Sequence, residues 1–290
     1  LNKIEKILLN AFAYILLIIF FVIGFLWWNI YPPLPTFSQQ HIEKLTTADT
    51  STPKNLKIIS YNIHYGIGLD WNRNDRVEKK DFYNRLDKIA DVLKEIDGDV
   101  VLLQEVDFDS SRSHFINQAK YLAKKANYSY FAIAPQIRIK VHPSPQGFHG
   151  KITQGLCILS KYEITKNESY VFSYPKTTPF YLRWLFFPHG IQKANIKIAN
   201  KNISVFNVHL EPWCQFTREE ETKRLVNWMY DSDTKIICGG DFNSIPPETT
   251  DKKFYHLNDA PWFVDKRSWD HDNEKTISLT SPGCRKNGRS

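Results

Sequence analysis

"KIICGGDFNSIP", Lys235 to Pro246, is an Ile-rich apolar run that stops at two glycines, after which an acid and an amide follow with one residue between them. The run has the length and composition of a buried strand ending at a turn. On extended backbone, residues i and i+2 point to the same side. Asp241 and Asn243 are therefore expected to face one small target together, with Phe242 turned into the core. Gly239 and Gly240 permit close backbone approach at that point. A phosphate with a bound water suits a carboxylate and an amide held in this way.

Three other strand ends carry a polar or ionisable residue where apolar alternation runs out. They are Asn62 in "SYNIHYG", Glu105 in "LLQEV" and His209 in "FNVHLEP". One such residue is ordinary surface chemistry. Four strand ends of this kind suggest acids, amides and an imidazole converging at one edge of a sheet. His64, two residues after Asn62, reads as a surface imidazole.

From Leu56 onward, short apolar runs alternate with amphipathic stretches. "LKIISYNI", "DVVLLQEV", "YSYFAIAP", "LCILS", "YEITKNESYVF", "QKANIKIA" and "ISVFNVHL" read as strands. "KDFYNRLDKIADVLKEID" puts Phe82, Leu86, Ile89, Ala90 and Leu93 on one helical face, and Gly98 ends it. "SHFINQAKYLAKKAN" and "TREEETKRLVNWMYDSD" are further helices. Strands with helices between them, some in hairpin-like succession, indicate mixed sheets flanked by helices. "PQIRIKVHPSPQGFHGKIT" reads as a loop whose Arg138, Lys140, His142 and His149 face water, and Phe180 to Phe187 as an aromatic edge loop.

The chain has 290 residues, 42% of them apolar, enough for a sizeable core. A formal charge of +7 suits an anionic partner such as a polynucleotide, a phosphorylated small molecule or a lipid headgroup. Four cysteines without C-x-x-C spacing argue against structural zinc. At the N-terminus, Ala11 to Trp28 carries no charge, and Ile7 to Leu9 extend the apolar run upstream. At about 1.5 Å per helical residue it crosses a hydrocarbon layer of roughly 30 Å. Lys3 and Lys6 precede it and Trp27, Trp28 and Tyr31 close it, so the N-terminus is expected in the cytoplasm and the rest of the chain outside. A cleaved signal peptide is the rival, but no small-x-small site follows. The expected organisation is an anchor over residues 1–31, a polar Pro-containing linker over 32–54 and a domain over 55–290.

"YNIHYG", "LLQEV", "GLCILSKYEI", "NVHLEP" and "GGDFNSIP", in this order, resemble the endonuclease/exonuclease/phosphatase superfamily, from about Leu56 to Pro246. The resemblance implies an α+β fold, a four-layer α/β/β/α sandwich of two packed mixed sheets. It also implies metal-dependent phosphoester hydrolysis, with Mg²⁺ as the expected ion and Mn²⁺ as the alternative. Carried over by position, Glu105 is the metal-binding carboxylate and Asn62 contacts metal or phosphate. Asp241 orients or deprotonates the attacking water, Asn243 steadies that water or the phosphate, and His209 hydrogen-bonds the phosphoryl oxygens. The family's closing R-x-D-Y strand and final S-D-H have no counterpart; Asp270 and His271 in "SWDHD" follow Asp241 too closely. The domain is thus expected to be incomplete at its C-terminus.

Together these readings give a membrane-anchored phosphoesterase acting on a phospholipid headgroup, a nucleic acid or a phosphorylated small molecule. The alternative is a truncated homologue with impaired catalysis, serving as a membrane-tethered phosphate-binding module. No protein partner is inferable.

Overall fold

The computed structural model describes residues 2–30, 33–68, 77–144, 147–174, 187–212 and 214–244. Two five-stranded mixed sheets pack face to face with helices outside them, as the resemblance implies. The first sheet has the order β2(Ile42–Lys44), β5(Tyr130–Ser144), β6(Gly147–Ser160), β4(Val100–Asp107), β3(Ile58–Asn62). The second has the order β1(Phe37–Gln39), β7(Glu163–Val171), β8(Gly190–Ile198), β9(Lys201–His209), β10(Lys235–Asp241). Strands β3 and β4 run parallel, as do β9 and β10, while the other pairs are antiparallel.

The alternation within β4 shows why its sequence is almost wholly apolar. Val101 and Leu103 pack outward on Phe82, Leu86, Ala90 and Leu93 of α2(Lys79–Ile96) and on Ala119 and Leu122 of α3(Gln118–Lys125). Val100 and Leu102 face inward against Ala194, Ile196 and Val205 of the second sheet. A strand covered on both faces needs apolar side chains on both. The second sheet's outer face puts Phe206 and Val208 against Leu225 and Trp228 of α4(Gln215–Tyr230).

A buried polar series crosses the interface between the sheets. Gln104 donates to Asn207 Oδ1 at 2.7 Å, and Asn207 donates to the carbonyls of Leu103 (2.9 Å) and Cys157 (3.1 Å). Gln192 donates to the Ala132 carbonyl and to Asn167 Oδ1, and Asn167 reaches the carbonyls of His41 and Ile133. These side chains are buried, so the bonds that cross from sheet to sheet specify how the sheets sit on one another.

Several expectations are corrected. The stretch read as a linker contains β1 and β2, which add an edge strand to each sheet. Three residues flanked by prolines and polar groups leave too little alternation to see. The stretch read as a loop over Pro135 to Thr153 is the outer half of the β5–β6 hairpin, continued through register shifts at Pro135/Ile137 and Ile139/His142. Pro135 and Pro143 sit at register shifts of the hairpin, where a missing N–H is tolerated. Helix α2 ends on Asp97, left-handed at φ 54°, one residue before Gly98. The N-terminal apolar segment forms α1(Lys3–Ile30), long and apolar enough to cross a membrane. Its residues from Lys3 to Phe25 are exposed, and only near its end does it meet the domain, through buried Asn29. Asp270, His271 and Phe180 to Phe186 lie outside the described residues.

Candidate active site

The parallel pairs β3–β4 and β9–β10 end at the same side of the sandwich. Asn62, the last residue of β3, points its amide into the gap between the sheets. Its Nδ2 donates to Glu105 Oε1 at 3.0 Å and to Asp241 Oδ2 at 2.9 Å. One amide thus joins a carboxylate of its own sheet to a carboxylate of the other. Its Oδ1 accepts the backbone N–H of His64 at 3.0 Å, which fixes the rotamer.

Glu105 reaches this point through a backbone irregularity. The pairing of β4 with β6 shifts between Leu103 and Val106, and Glu105 has φ 55°. A left-handed residue in a bulge re-aims a side chain that regular alternation would send elsewhere, at a cost of about 1–3 kcal/mol. His64 and Tyr65, at φ 46° and 43°, carry the same strain directly after β3. Left-handed backbone thus occurs at Glu105 itself and directly after β3.

Asp241 is placed by its neighbours. Gly240 has φ 145°, and a Cβ there would stand 2.2 Å from the Val208 carbonyl oxygen, so only glycine lets β10 lie this close to β9. Asn243 departs from the expectation of an extended segment. Its φ is 47°, its backbone N–H donates to Asp241 Oδ1 at 2.9 Å, and its Nδ2 donates to the Leu210 carbonyl at 2.7 Å. The acid and the amide are therefore joined by a side-chain turn rather than by strand periodicity. Phe242 is consequently 37% exposed instead of core.

His209 pairs in register with Asp241 and is buried. Burial and the nearby His189 push its pKa down to about 4, so the ring is neutral near pH 7. The His189 ring meets it edge to face at 4.7 Å, and His189 Nδ1 lies 3.5 Å from Glu211 Oε2. The sequence reading missed His189. Its only signal was an imidazole immediately before a strand, a position without meaning until β8 is known to neighbour β9. His64, expected at the surface, is half-buried against Tyr65 (ring centroids 4.7 Å apart), and burial lowers its pKa.

Arg112 backs the site. It grips Asp107 with two bonds, Nε to Oδ2 at 3.0 Å and Nη2 to Oδ1 at 2.9 Å, and its guanidinium lies 3.7 Å from the Tyr65 ring centroid. Both members of the pair are buried, which locks the turn carrying His64 and Tyr65 over the end of β4.

Asn62, Glu105, Asp241, His209 and Asn243 are thus brought together. The oxygen donors among them are carboxylates and amides, the hard set that suits a Mg²⁺-like cation. Among the described residues, no three His, Cys, Asp or Glu side chains are grouped to hold a metal. A cation here would rest on one or two carboxylates and water, as Mg²⁺ commonly does.

The sequence profile of the Endonuclease/Exonuclease/phosphatase family matches residues 59–286, and the chain belongs to that family. Among solved structures it is similar to an endonuclease/exonuclease/phosphatase from Beutenbergia cavernae, with 18% identity over 67% of this chain and a TM-score of 0.49. The chain spans 50% of that protein's length. It is also similar to the mannosyl-6-phosphatase Bt3783 of Bacteroides thetaiotaomicron (19% identity, 65% of this chain and 66% of that one, TM-score 0.43). A third is D. rerio TDP2 complexed with single-strand DNA product (19% identity, 66% of this chain and 62% of that one, TM-score 0.41). No curated protein matches the sequence significantly.

Proposed function

We propose that this family member hydrolyses phosphoester bonds by metal-assisted attack of water, and that residues 7–31 tether it to a membrane with residues 55–290 outside the cytoplasm. The observation that carries the hydrolytic reading is the single Asn62 amide spanning Glu105 and Asp241, carboxylates of different sheets. Two acids drawn to one point by strained backbone cost stability, and their use is to act together on a bound group.

In this reading Glu105 would hold the cation, with the Asn62 Oδ1 that also accepts the His64 N–H as the amide oxygen beside it. A bound Mg²⁺ or Mn²⁺ supplies Lewis-acid stabilisation of charge on the phosphoryl oxygens. Asp241, its Oδ1 fixed by the Asn243 N–H, orients the attacking water and takes its proton. Asn243 holds that carboxylate in place and steadies the phosphate. Neutral His209 donates a ring N–H to a phosphoryl oxygen as charge builds there. The net charge of +7 favours the approach of an anionic substrate.

The test uses the full chain in detergent with bis-p-nitrophenyl phosphate and p-nitrophenyl phosphate, in Mg²⁺, in Mn²⁺ and in EDTA. Turnover that EDTA abolishes, and that Glu105→Gln lowers on the order of 100-fold or more, is expected. A folded protein silent on both esters with either ion would overturn the enzyme and leave a phosphate-binding module.

A further inference from the structure

The end of α1 is fastened to the β5–β6 hairpin. Asn29 Nδ2 donates to the Val141 carbonyl at 2.8 Å, and the Val141 N–H donates to Asn29 Oδ1 at 2.6 Å. A side-chain amide thereby pairs with β5 as a neighbouring strand would. Alongside it, Lys140 Nζ donates to the Trp28 carbonyl at 2.8 Å and lies 4.5 Å from the Trp28 ring centroid. Asn29 is 1% exposed, although it sits in the last turn of an otherwise exposed helix.

The direction in which this hairpin projects gives the contact its meaning. Asp107, the end of β4, pairs with Gln154, which is level with Ile137 on β5. Beyond that level the hairpin continues past the end of β4, on the side to which Asn62, Glu105 and Asp241 are delivered. Val141 is four residues beyond Ile137, about 13 Å at 3.3 Å per residue. The anchor and the site therefore share one end of the sandwich. The overhang is braced: His142, next to Val141, packs on Phe187 with ring centroids 5.0 Å apart, and the Arg112 guanidinium lies 5.6 Å from the Phe187 ring centroid and 3.7 Å from that of Tyr65.

We propose that the Asn29–Val141 junction holds the site-bearing end of the sandwich towards the bilayer that carries α1, so that the site takes its phosphoester from a lipid headgroup of that bilayer; this rests on the hydrolytic reading above. A single flexible tether would leave the domain free to turn. The buried Asn29 pair with Val141 and the exposed Lys140–Trp28 contact beside it hold the domain in one orientation.

The full chain is reconstituted in vesicles of phosphatidylethanolamine and phosphatidylglycerol with radiolabelled headgroups. Energy transfer to an acceptor lipid is measured from a dye on Arg138→Cys, on the hairpin, and on Asp97→Cys, at the opposite end of β4. The hairpin dye is expected nearer the bilayer by about 25 Å, the length of eight strand residues. Equal or reversed distances overturn the orientation. Release of labelled headgroup is expected, and Asn29→Ala with Lys140→Ala should lower it by about tenfold or more, because the domain, still tethered by α1, no longer holds its site towards the bilayer. Turnover of bis-p-nitrophenyl phosphate by the same variant should be unchanged. Soluble turnover with no release of either headgroup, or release that the double variant leaves intact, overturns the proposal. Silence on both kinds of ester with the expected distances would instead retire the hydrolytic reading and leave the orientation standing.

Discussion

Asp241→Asn separates a functional acid from a structural one. Asn62 Nδ2 touches Glu105 and Asp241 at 3.0 and 2.9 Å, so the two oxygens are at most about 6 Å apart, and their repulsion is about 3 kcal/mol at an effective dielectric of 20. Both groups are half-exposed, and water reduces that figure to about 1 kcal/mol. The substitution removes this repulsion. It also replaces an acid that accepts from Asn62 and from the Asn243 N–H with an amide that has one acceptor atom. Losing one hydrogen bond and the charge on the other costs about 1–2 kcal/mol. The two effects nearly cancel, and the melting temperature in EDTA should stay within about 4 °C of wild type. Turnover of bis-p-nitrophenyl phosphate with Mg²⁺ should fall by about 10²–10⁴-fold, the usual worth of a positioned general base. Thermal melts and steady-state rates on the same preparation decide the matter. A variant within tenfold of wild-type turnover refutes the role given to Asp241. A loss of more than about 3 kcal/mol shows the carboxylate to be a structural member whose repulsion from Glu105 is negligible.

Three further outcomes follow from buried polar groups. Asn207→Ala leaves the Leu103 and Cys157 carbonyls and the Gln104 amide without that partner, and should cost about 2–4 kcal/mol by urea unfolding. Arg112→Met strands the buried Asp107 carboxylate and should cost about 3–5 kcal/mol, whereas adding Asp107→Leu should recover most of it in the same assay. Burial raises the Glu221 pKa from the usual 4.5 to about 7. The folded protein therefore holds a proton the unfolded chain has released, and stability present below pH 4.5 is lost as pH rises through 7. Glu221→Gln can still accept the Glu211 N–H, and unfolding curves at pH 8 should show it more stable than wild type by about 3 kcal/mol, with no difference at pH 4.

Much of the frame was legible because its strands are long and their faces distinct. β4 and β9 read as strands, and α2 as a helix, from the spacing of apolar residues alone, and their packing on two faces explains that spacing. What failed was local and had physical causes. β1 and β2 are too short to alternate, and they exist because β7 and β5 offer open edges for pairing. The hairpin beyond Pro135 was hidden by residues that ordinarily end a strand but here sit at register shifts. Asn29 looked like one polar residue closing an apolar helix, and its value lies in Val141, 112 positions away.

The site was legible to the same degree and for related reasons. Periodicity ending at Asn62, Glu105, His209 and Asp241 marked each as a strand end, yet periodicity carries no information about which ends meet. The meeting is made by parallel pairs from separate sheets, and that requires the sandwich. It also failed where the backbone is left-handed. Glu105 at φ 55° and Asn243 at φ 47° do not obey the two-residue repeat, so strand alternation does not describe how Asp241 and Asn243 are placed. A regular strand was expected to turn Phe242 inward. The turn instead exposes it and spends the Asn243 N–H on Asp241. Where side chains must converge from several directions, regular backbone cannot aim them all, and Glu105 and Asn243 reach the candidate site only by leaving it.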